Sequence, residues 1–170
     1  MRWFASLLIV LFVVGLTYCV GRWRDITSSE RFYNRAAESY RQKAAVLRSE
    51  GKIALAEEYL AFAISAQSTS DKDGRATAAD LRRELAGMRM SADDLAGAEK
   101  LYREALMLLE TEPRGADEAI INLRTQLAGL CYRQARLDDA ADLYRSVLAL
   151  EVASLGEGHP DPLGTMSILG

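Results

Sequence analysis

Asp80 to Leu109 reads DLRRELAGMRMSADDLAGAEKLYREALMLL, and Asn122 to Glu151 reads NLRTQLAGLCYRQARLDDAADLYRSVLALE. The second stretch lies over the first without a gap, forty-two positions on. Leu81/Leu123, Arg82/Arg124, Leu85/Leu127, Ala86/Ala128 and Gly87/Gly129 match, and so do Leu95/Leu137, Ala98/Ala140, Leu101/Leu143, Tyr102/Tyr144, Arg103/Arg145, Leu106/Leu148 and Leu108/Leu150. A repeat of this length means stacked supersecondary units sharing one continuous core, so it sets the fold class ahead of local propensity. A weaker copy lies one period earlier, where Ala44, Ile53, Ala56, Glu57 and Ala63 take the positions of Ala86, Leu95, Ala98, Glu99 and Ala105. A fourth copy opens with Leu169 at the position of Leu127. The expectation is three complete units and the first helix of another.

Each unit divides into two helical patterns. In the third, Ile121, Leu123, Leu127, Leu130 and Cys131 mark one helix. After a polar break at Gln134 to Arg136, the residues Leu137, Ala140, Leu143, Tyr144, Val147, Leu148 and Leu150 mark the next. Spacings of three and four fit the helix period, and no alternating run rich in Val, Ile and Thr follows the N-terminus. Small residues recur where paired helices must approach closely: Ala86 and Ala128 in first helices, Ala56, Ala98 and Ala140 in second ones.

The pattern resembles the tetratricopeptide repeat. Its small position before the turn is Ala44, Ala86 and Ala128, its second-helix alanine is Ala56, Ala98 and Ala140, and its large aromatic position is Leu60, Tyr102 and Tyr144. The turn glycine survives as Gly51 and is replaced by Asp93 and Ala135; the tryptophan-like early position is Tyr40, Arg82 and Arg124. The period exceeds the usual ~34 residues and is that of the kinesin-light-chain-like subfamily. The run Ala153-Ser154-Leu155-Gly156-Glu157-Gly158-His159-Pro160-Asp161 is similar to that subfamily's linker, while Pro162 and Gly164 depart from it. The resemblance implies an all-α, right-handed α-solenoid over residues 30–170, with repeats at about 30–74, 75–116 and 117–158 and a partial capping helix at 162–170.

A length of 170 residues with 49% hydrophobic content suits one modest domain. The net charge is −3 and the cations are scattered among acids, which disfavours nucleic acid as a partner. Cys19 lies in an apolar run and Cys131 at a core-like position, so no disulfide is expected.

Residues 1–24 read as a membrane anchor and 25–29 as a short linker. Trp3 to Gly21, WFASLLIVLFVVGLTYCVG, carries no charge. As a helix it reaches roughly 28 Å, close to the ~30 Å hydrocarbon core. Trp3, Tyr18 and Trp23 sit where interfacial aromatics belong. A cleaved secretory signal competes, although no A-x-A site follows and Arg22 and Arg24 are awkward after cleavage. A lipoprotein signal at LTYC is opposed by bulky Tyr18. Gly15 and Cys19, then Thr17 and Gly21, are small pairs four apart that permit close helix contact in a bilayer, a spacing that chance also supplies. Arg22, Arg24, Arg31 and Arg35 after the run, against Arg2 before it, favour the repeats on the cytoplasmic side; the short basic start also fits a periplasmic one. Arginine outnumbers lysine, a loose sign of a bacterial high-GC genome and hence a bacterial inner membrane. Ser28 or Ser29 is the expected cap of the first repeat helix.

No Gly-rich phosphate loop, metal-ligand cluster or nucleophile motif is present, so no cofactor, metal or enzymatic activity is expected. His159 reads as a linker residue, Cys131 as a small core hydrophobe, Tyr102 and Tyr144 as core, and the Asp93/Asp94 and Asp138/Asp139 pairs as caps before second helices. The remaining candidate is a groove lined by first helices. By the resemblance, its inward positions are Glu38, Arg41, Ala45 and Arg48, then Asp80, Arg83, Gly87 and Met90, then Asn122, Thr125, Gly129 and Tyr132. Ala45, Gly87 and Gly129 make its floor small, leaving room for a peptide or partner helix, and Arg41 and Arg83 suit acidic groups on it. The chaperone-tail-binding subgroup places asparagine at those three floor positions, so its carboxylate clamp is not carried over. A solvated face with no ligand is the competing reading.

The resulting expectation is a single-pass membrane protein whose repeats bind a protein or peptide, as adaptor or assembly factor, with a permanent accessory subunit of a membrane complex as the alternative. Leu163, Met166, Ile168 and Leu169 at the C-terminal helix suggest capping by a partner or a second copy.

Overall fold

The computed structural model describes residues 31–67, 72–111 and 117–155. Among them are six helices and no strand: α1 (31–49), α2 (Ile53–Ala66), α3 (Lys72–Ser91), α4 (Leu95–Glu110), α5 (Asp117–Arg133) and α6 (Leu137–Leu155). The anchor reading at Trp3–Gly21, with Gly15, Cys19 and Gly21, the Ser28/Ser29 cap and the capping helix at 162–170 fall outside the described residues. No helix among the described residues is long and apolar enough to cross a membrane.

Helices pack in chain order, α2 on α3, α3 on α4, α4 on α5 and α5 on α6. The core forms two clusters that meet along α3 and α4. One joins Ala44 and Leu47 of α1 to Ala56, Leu60 and Ala63 of α2 and to Leu81, Leu85 and Met88 of α3. The other joins Ala79 and Ala86 to Ala98, Tyr102, Ala105, Leu106 and Leu109 and to Ile120, Leu123, Leu127 and Leu130. Each fully buried leucine contributes about 1.5–3 kcal/mol. The alanines at the two small-residue positions are buried in every unit: Ala44, Ala86 and Ala128, and Ala56, Ala98 and Ala140. A methyl group there lets backbones approach where a longer side chain would force them apart. Tyr102 belongs to this core; Tyr144 is only partly buried, a departure from the reading that treated the two alike.

The turn inside each unit follows one design. Gly51, Asp93 and Ala135 stand one period apart and have φ of 76°, 62° and 58°. At each, the N–H bonds back to Arg48, Met90 or Tyr132 at 3.1, 3.2 and 3.0 Å. The N–H of the next residue, Lys52, Asp94 or Arg136, reaches Leu47, Arg89 or Cys131 at 2.9 Å. These paired bonds make a Schellman closure, which satisfies the last carbonyls of the first helix and demands a left-handed residue at its centre. Glycine is natural there and aspartate tolerable, whereas alanine bears a Cβ penalty. The loss of glycine in two units therefore did not change the turn.

Charge stitches unit to unit. Glu57 and Glu99 share one repeat position. Glu57 pairs with Arg89 at 3.1 Å. Glu99 receives Arg136 Nη1 on both oxygens, at 3.0 and 2.8 Å, and Arg103 Nη2 at 2.6 Å. Burial pushes the Glu99 carboxyl up, but hydrogen bonds from Arg136 and Arg103 outweigh it and hold it below the usual carboxylate range. The same contacts with Glu99 and Asp139 push Arg136 up.

Candidate functional site

The proposed groove runs along α1, α3 and α5. In α1, Glu38 is exposed and accepts from Gln42 Nε2 at 3.2 Å, while Ala45 and Arg48 are exposed. Arg41 is half-buried and donates to Glu84 of α3, a contact that raises its pKa. In α3, Arg83 bonds Asp80 Oδ1 through Nε at 3.2 Å and Nη2 at 3.1 Å. Gly87 and Met90 are half-buried, and Met90 packs on the core as well. In α5, Asn122 is exposed, the Thr125 hydroxyl donates back to the Ile121 carbonyl at 2.9 Å, and Tyr132 is 67% exposed.

Two clefts open on this face and share Arg83. One, of about 370 Å³, lies between α3 and α5; Asp80, Arg83, Glu118 and Asn122 edge it over Ala79 and Leu123. The other, of about 330 Å³, has Arg48, Arg83, Glu84, Gly87, Met90 and Gln126 at its sides and reaches Tyr102. A Cβ built on Gly87 or Gly129 meets nothing within 4 Å, so the floor is open above both glycines. Burial raises the Tyr102 phenol and Arg83 opposes it, so the ring enters the cleft as a neutral hydroxyl donor or acceptor.

The structure thus brings Asp80, Arg83 and Asn122 together in one cleft and Arg48, Arg83, Gly87 and Met90 in the other. Glu38, Thr125 and Tyr132 line neither, and Arg41 is spent on Glu84. Glu84, Glu118 and Gln126 escaped the sequence reading. Glu84 had a signal: Arg41 and Glu84 are opposite charges forty-three residues apart, one period plus one. That offset is what two neighbouring first helices, rotated slightly in the stack, put face to face. Arg83 and Gln126 repeat it.

No catalytic arrangement emerges from the described residues. No group of three or more His, Cys, Asp or Glu there is placed to hold a metal ion. Cys131 is free and buried, and burial pushes its thiol up, against thiolate chemistry. The paired carboxylates divide their work. Asp94 Oδ1 accepts from the Gly97 N–H at 2.9 Å and caps α4. Asp93 occupies the left-handed turn and meets Arg133 at 3.1 Å. Asp138 and Asp139 lie inside the first turn of α6 rather than before it, and Asp139 binds Arg136 at 2.7 Å. His159 lies outside the described residues.

No protein-family model and no curated protein matches the chain. Solved structures do. The N-terminal domain of stress-induced protein-1 from C. elegans superposes with a TM-score of 0.63 at 11% identity, over 81% of this chain and 96% of that one. A putative kinesin light chain from Podosopora anserina with nearly identical TPR-like repeats gives 0.61 at 18% identity, over 81% of this chain and 64% of that one. BtubC (BKLC) from P. vanneervenii gives 0.64 at 20% identity, over 91% of this chain and 66% of that one. At such identities the likeness speaks of architecture alone: the chain has the fold of tetratricopeptide-like repeat proteins, an all-helical solenoid.

Proposed function

We propose that the chain is a membrane-anchored protein-interaction module, an adaptor or assembly factor that takes an extended peptide or partner helix along α1, α3 and α5. The observation that carries this reading is the pair of clefts joined at Arg83 over the open floor at Gly87. Solenoids of this kind offer extended surfaces rather than reaction centres. Arg48 and Arg83, beside Gln126 and the Tyr102 hydroxyl, supply donors to a segment lying there, and Met90 supplies an adaptable apolar contact. The uncharged run Trp3–Gly21 supports the anchor.

The test uses the full chain, gently extracted from the membranes of the cells that make it, beside Gly87→Phe. A Cβ at Gly87 meets nothing within 4 Å, so the added ring is placed to fill the floor, and helix content reads whether the variant folds. The expected result is a protein that copurifies with the native chain and is lost from Gly87→Phe at unchanged helix content. A partner retained by Gly87→Phe would place the interaction elsewhere. A partner at fixed one-to-one ratio would favour the accessory-subunit role over the adaptor.

A further inference from the structure

The outer edge of the first unit differs in kind from the same edge further along. Tyr40, Tyr59 and Phe62 form one ring cluster, with centroids 6.2 Å apart for Tyr40–Tyr59, 5.9 Å for Tyr40–Phe62 and 6.2 Å for Tyr59–Phe62. Phe62 is 54% exposed, Leu55 beside it 45% and Tyr40 38%. Phe32 and Tyr33, also exposed, pair at 5.8 Å at the start of α1. One period on, Tyr40 becomes Arg82 and Phe62 becomes Glu104, and these two close the same edge as an ion pair at 3.4 Å. Two periods on, the positions hold Arg124 and Ser146, and Arg124 binds Glu110 at 2.9 Å. The fold closes this edge with polar groups further along, so the exposed Tyr40 and Phe62 of the first unit are not needed to close it.

Helix α2 carries the same message. Ala56, Leu60 and Ala63 face the core. Leu55, Tyr59 and Phe62, at i, i+4 and i+7, make an apolar stripe that flanks this face; Tyr59 packs on the core, while Leu55 and Phe62 are exposed. The apolar surface of α2 therefore runs past the core and out to this edge. Single exposed apolar residues are ordinary; a contiguous set marks a contact surface.

The distribution of rings along the chain selects the occupant. All four phenylalanines and both tryptophans lie at or before Phe62. Among the described residues the cluster of exposed rings thus lies in the unit that follows the uncharged run; of the later rings Tyr132 is exposed, and Tyr102 and Tyr144 are not. Residues 22–30 join that run to α1 and span at most about 30 Å when extended, so a bilayer holding the run is within reach of this unit before the others. Tyrosine is a side chain of the membrane–water interface, phenylalanine and leucine suit its apolar side, and exposed Lys43, three residues on from Tyr40, suits phosphate headgroups. We propose that the Tyr40–Tyr59–Phe62 edge, with Leu55, lies against the headgroup layer of the membrane, holding the first unit on the lipid surface. This rests on the anchor reading under Proposed function.

The test is labelling of full-length Leu55→Cys and Met107→Cys by a water-soluble maleimide, in phosphatidylcholine nanodiscs carrying one chain each, resolved by peptide mass so that Cys19 and Cys131 are read separately. Met107 is the control, 69% exposed on α4. A thiol drawn out of water loses thiolate, and one unit of pKa makes it about tenfold slower. The expected result is a Leu55→Cys rate lower than the control by that factor. The rate should return to the control value in a Tyr40→Arg/Phe62→Glu background, which copies the pair at Arg82 and Glu104 and so should keep its helix content. Equal rates in the first pair of proteins would overturn the proposal and leave the anchor standing. Protection seen only in discs with two chains would assign the edge to a second copy and overturn it too. A chain that does not enter the disc would remove both readings.

Discussion

Ala135→Gly should make the protein more stable, although it deletes a side-chain atom and adds no contact. Ala135 is held at φ 58° by the two backbone bonds of its turn, and its side chain is exposed. A Cβ in the left-handed region costs about 1–2 kcal/mol against glycine. Glycine returns about 0.4–1 kcal/mol of that through the larger entropy of its unfolded chain. The net expectation is a gain of about 0.5–1 kcal/mol, or ~1–4 °C in melting temperature for a chain of this size. The mirror change, Gly51→Ala, should cost a similar amount, and since a Cβ there meets nothing within 4 Å, the cost is purely conformational. Asp93→Gly should be near neutral: aspartate tolerates φ 62° and the change also removes the Arg133 ion pair. The assay is urea unfolding of the full chain in one mild detergent, followed by far-ultraviolet circular dichroism and extrapolated linearly. A destabilised Ala135→Gly alongside a neutral Gly51→Ala would refute the reasoning, because the three turns would then not share a strained centre.

Ala98→Leu and Ala140→Leu should each lose about 1–3 kcal/mol by overpacking, with exposed Lys100→Ala within about 0.5 kcal/mol as control; equal melting of the three would mean the repeat register puts the wrong residues inside. Glu99→Gln should cost about 1–3 kcal/mol, since it removes the carboxylate that Arg136 and Arg103 share and leaves Arg136 only Asp139. Its folded pKa is lowered, so the stability it brings is complete above the ordinary value of 4.5 and is lost as pH falls through the lowered one; the gap between wild type and Glu99→Gln in urea midpoints should close on acidification and not on going alkaline. Cys131 should resist thiol reagents in the folded protein and react on unfolding, and rapid labelling of the native chain would contradict its burial.

The sequence made the stacking legible because the core positions are occupied by the same small and large residues at a constant spacing. Ala98 and Ala140 announce close approach whether or not anything else is known. The turns were half legible. Gly51 shows its purpose, but Asp93 and Ala135 acquire a left-handed backbone only because two hydrogen bonds impose it, and nothing in an alanine records that. The groove residues were legible as a face and not as a geometry. Side chains such as Arg41 and Arg83 choose partners across neighbouring helices, so Arg41 turned to Glu84 while Arg83 stayed at the clefts. The aromatic edge was hidden for a different reason: Tyr40 looked like a degraded repeat residue, and only its meeting with Tyr59 and Phe62 gives it another sense.

The stitching by charge gives the array a word order. Glu57 and Glu99 each hand a carboxylate forward to a guanidinium, and the third member of that series is Ala141. The units therefore cannot be shuffled like beads, however alike their apolar letters are. Exchanging the second and third would set Arg89 against Ala141 and leave it only Asp94 of its own unit, while the greasy surfaces would still match. A pattern of alanines and leucines says that these hairpins stack; a few acids, unevenly handed down the line, say which one follows which.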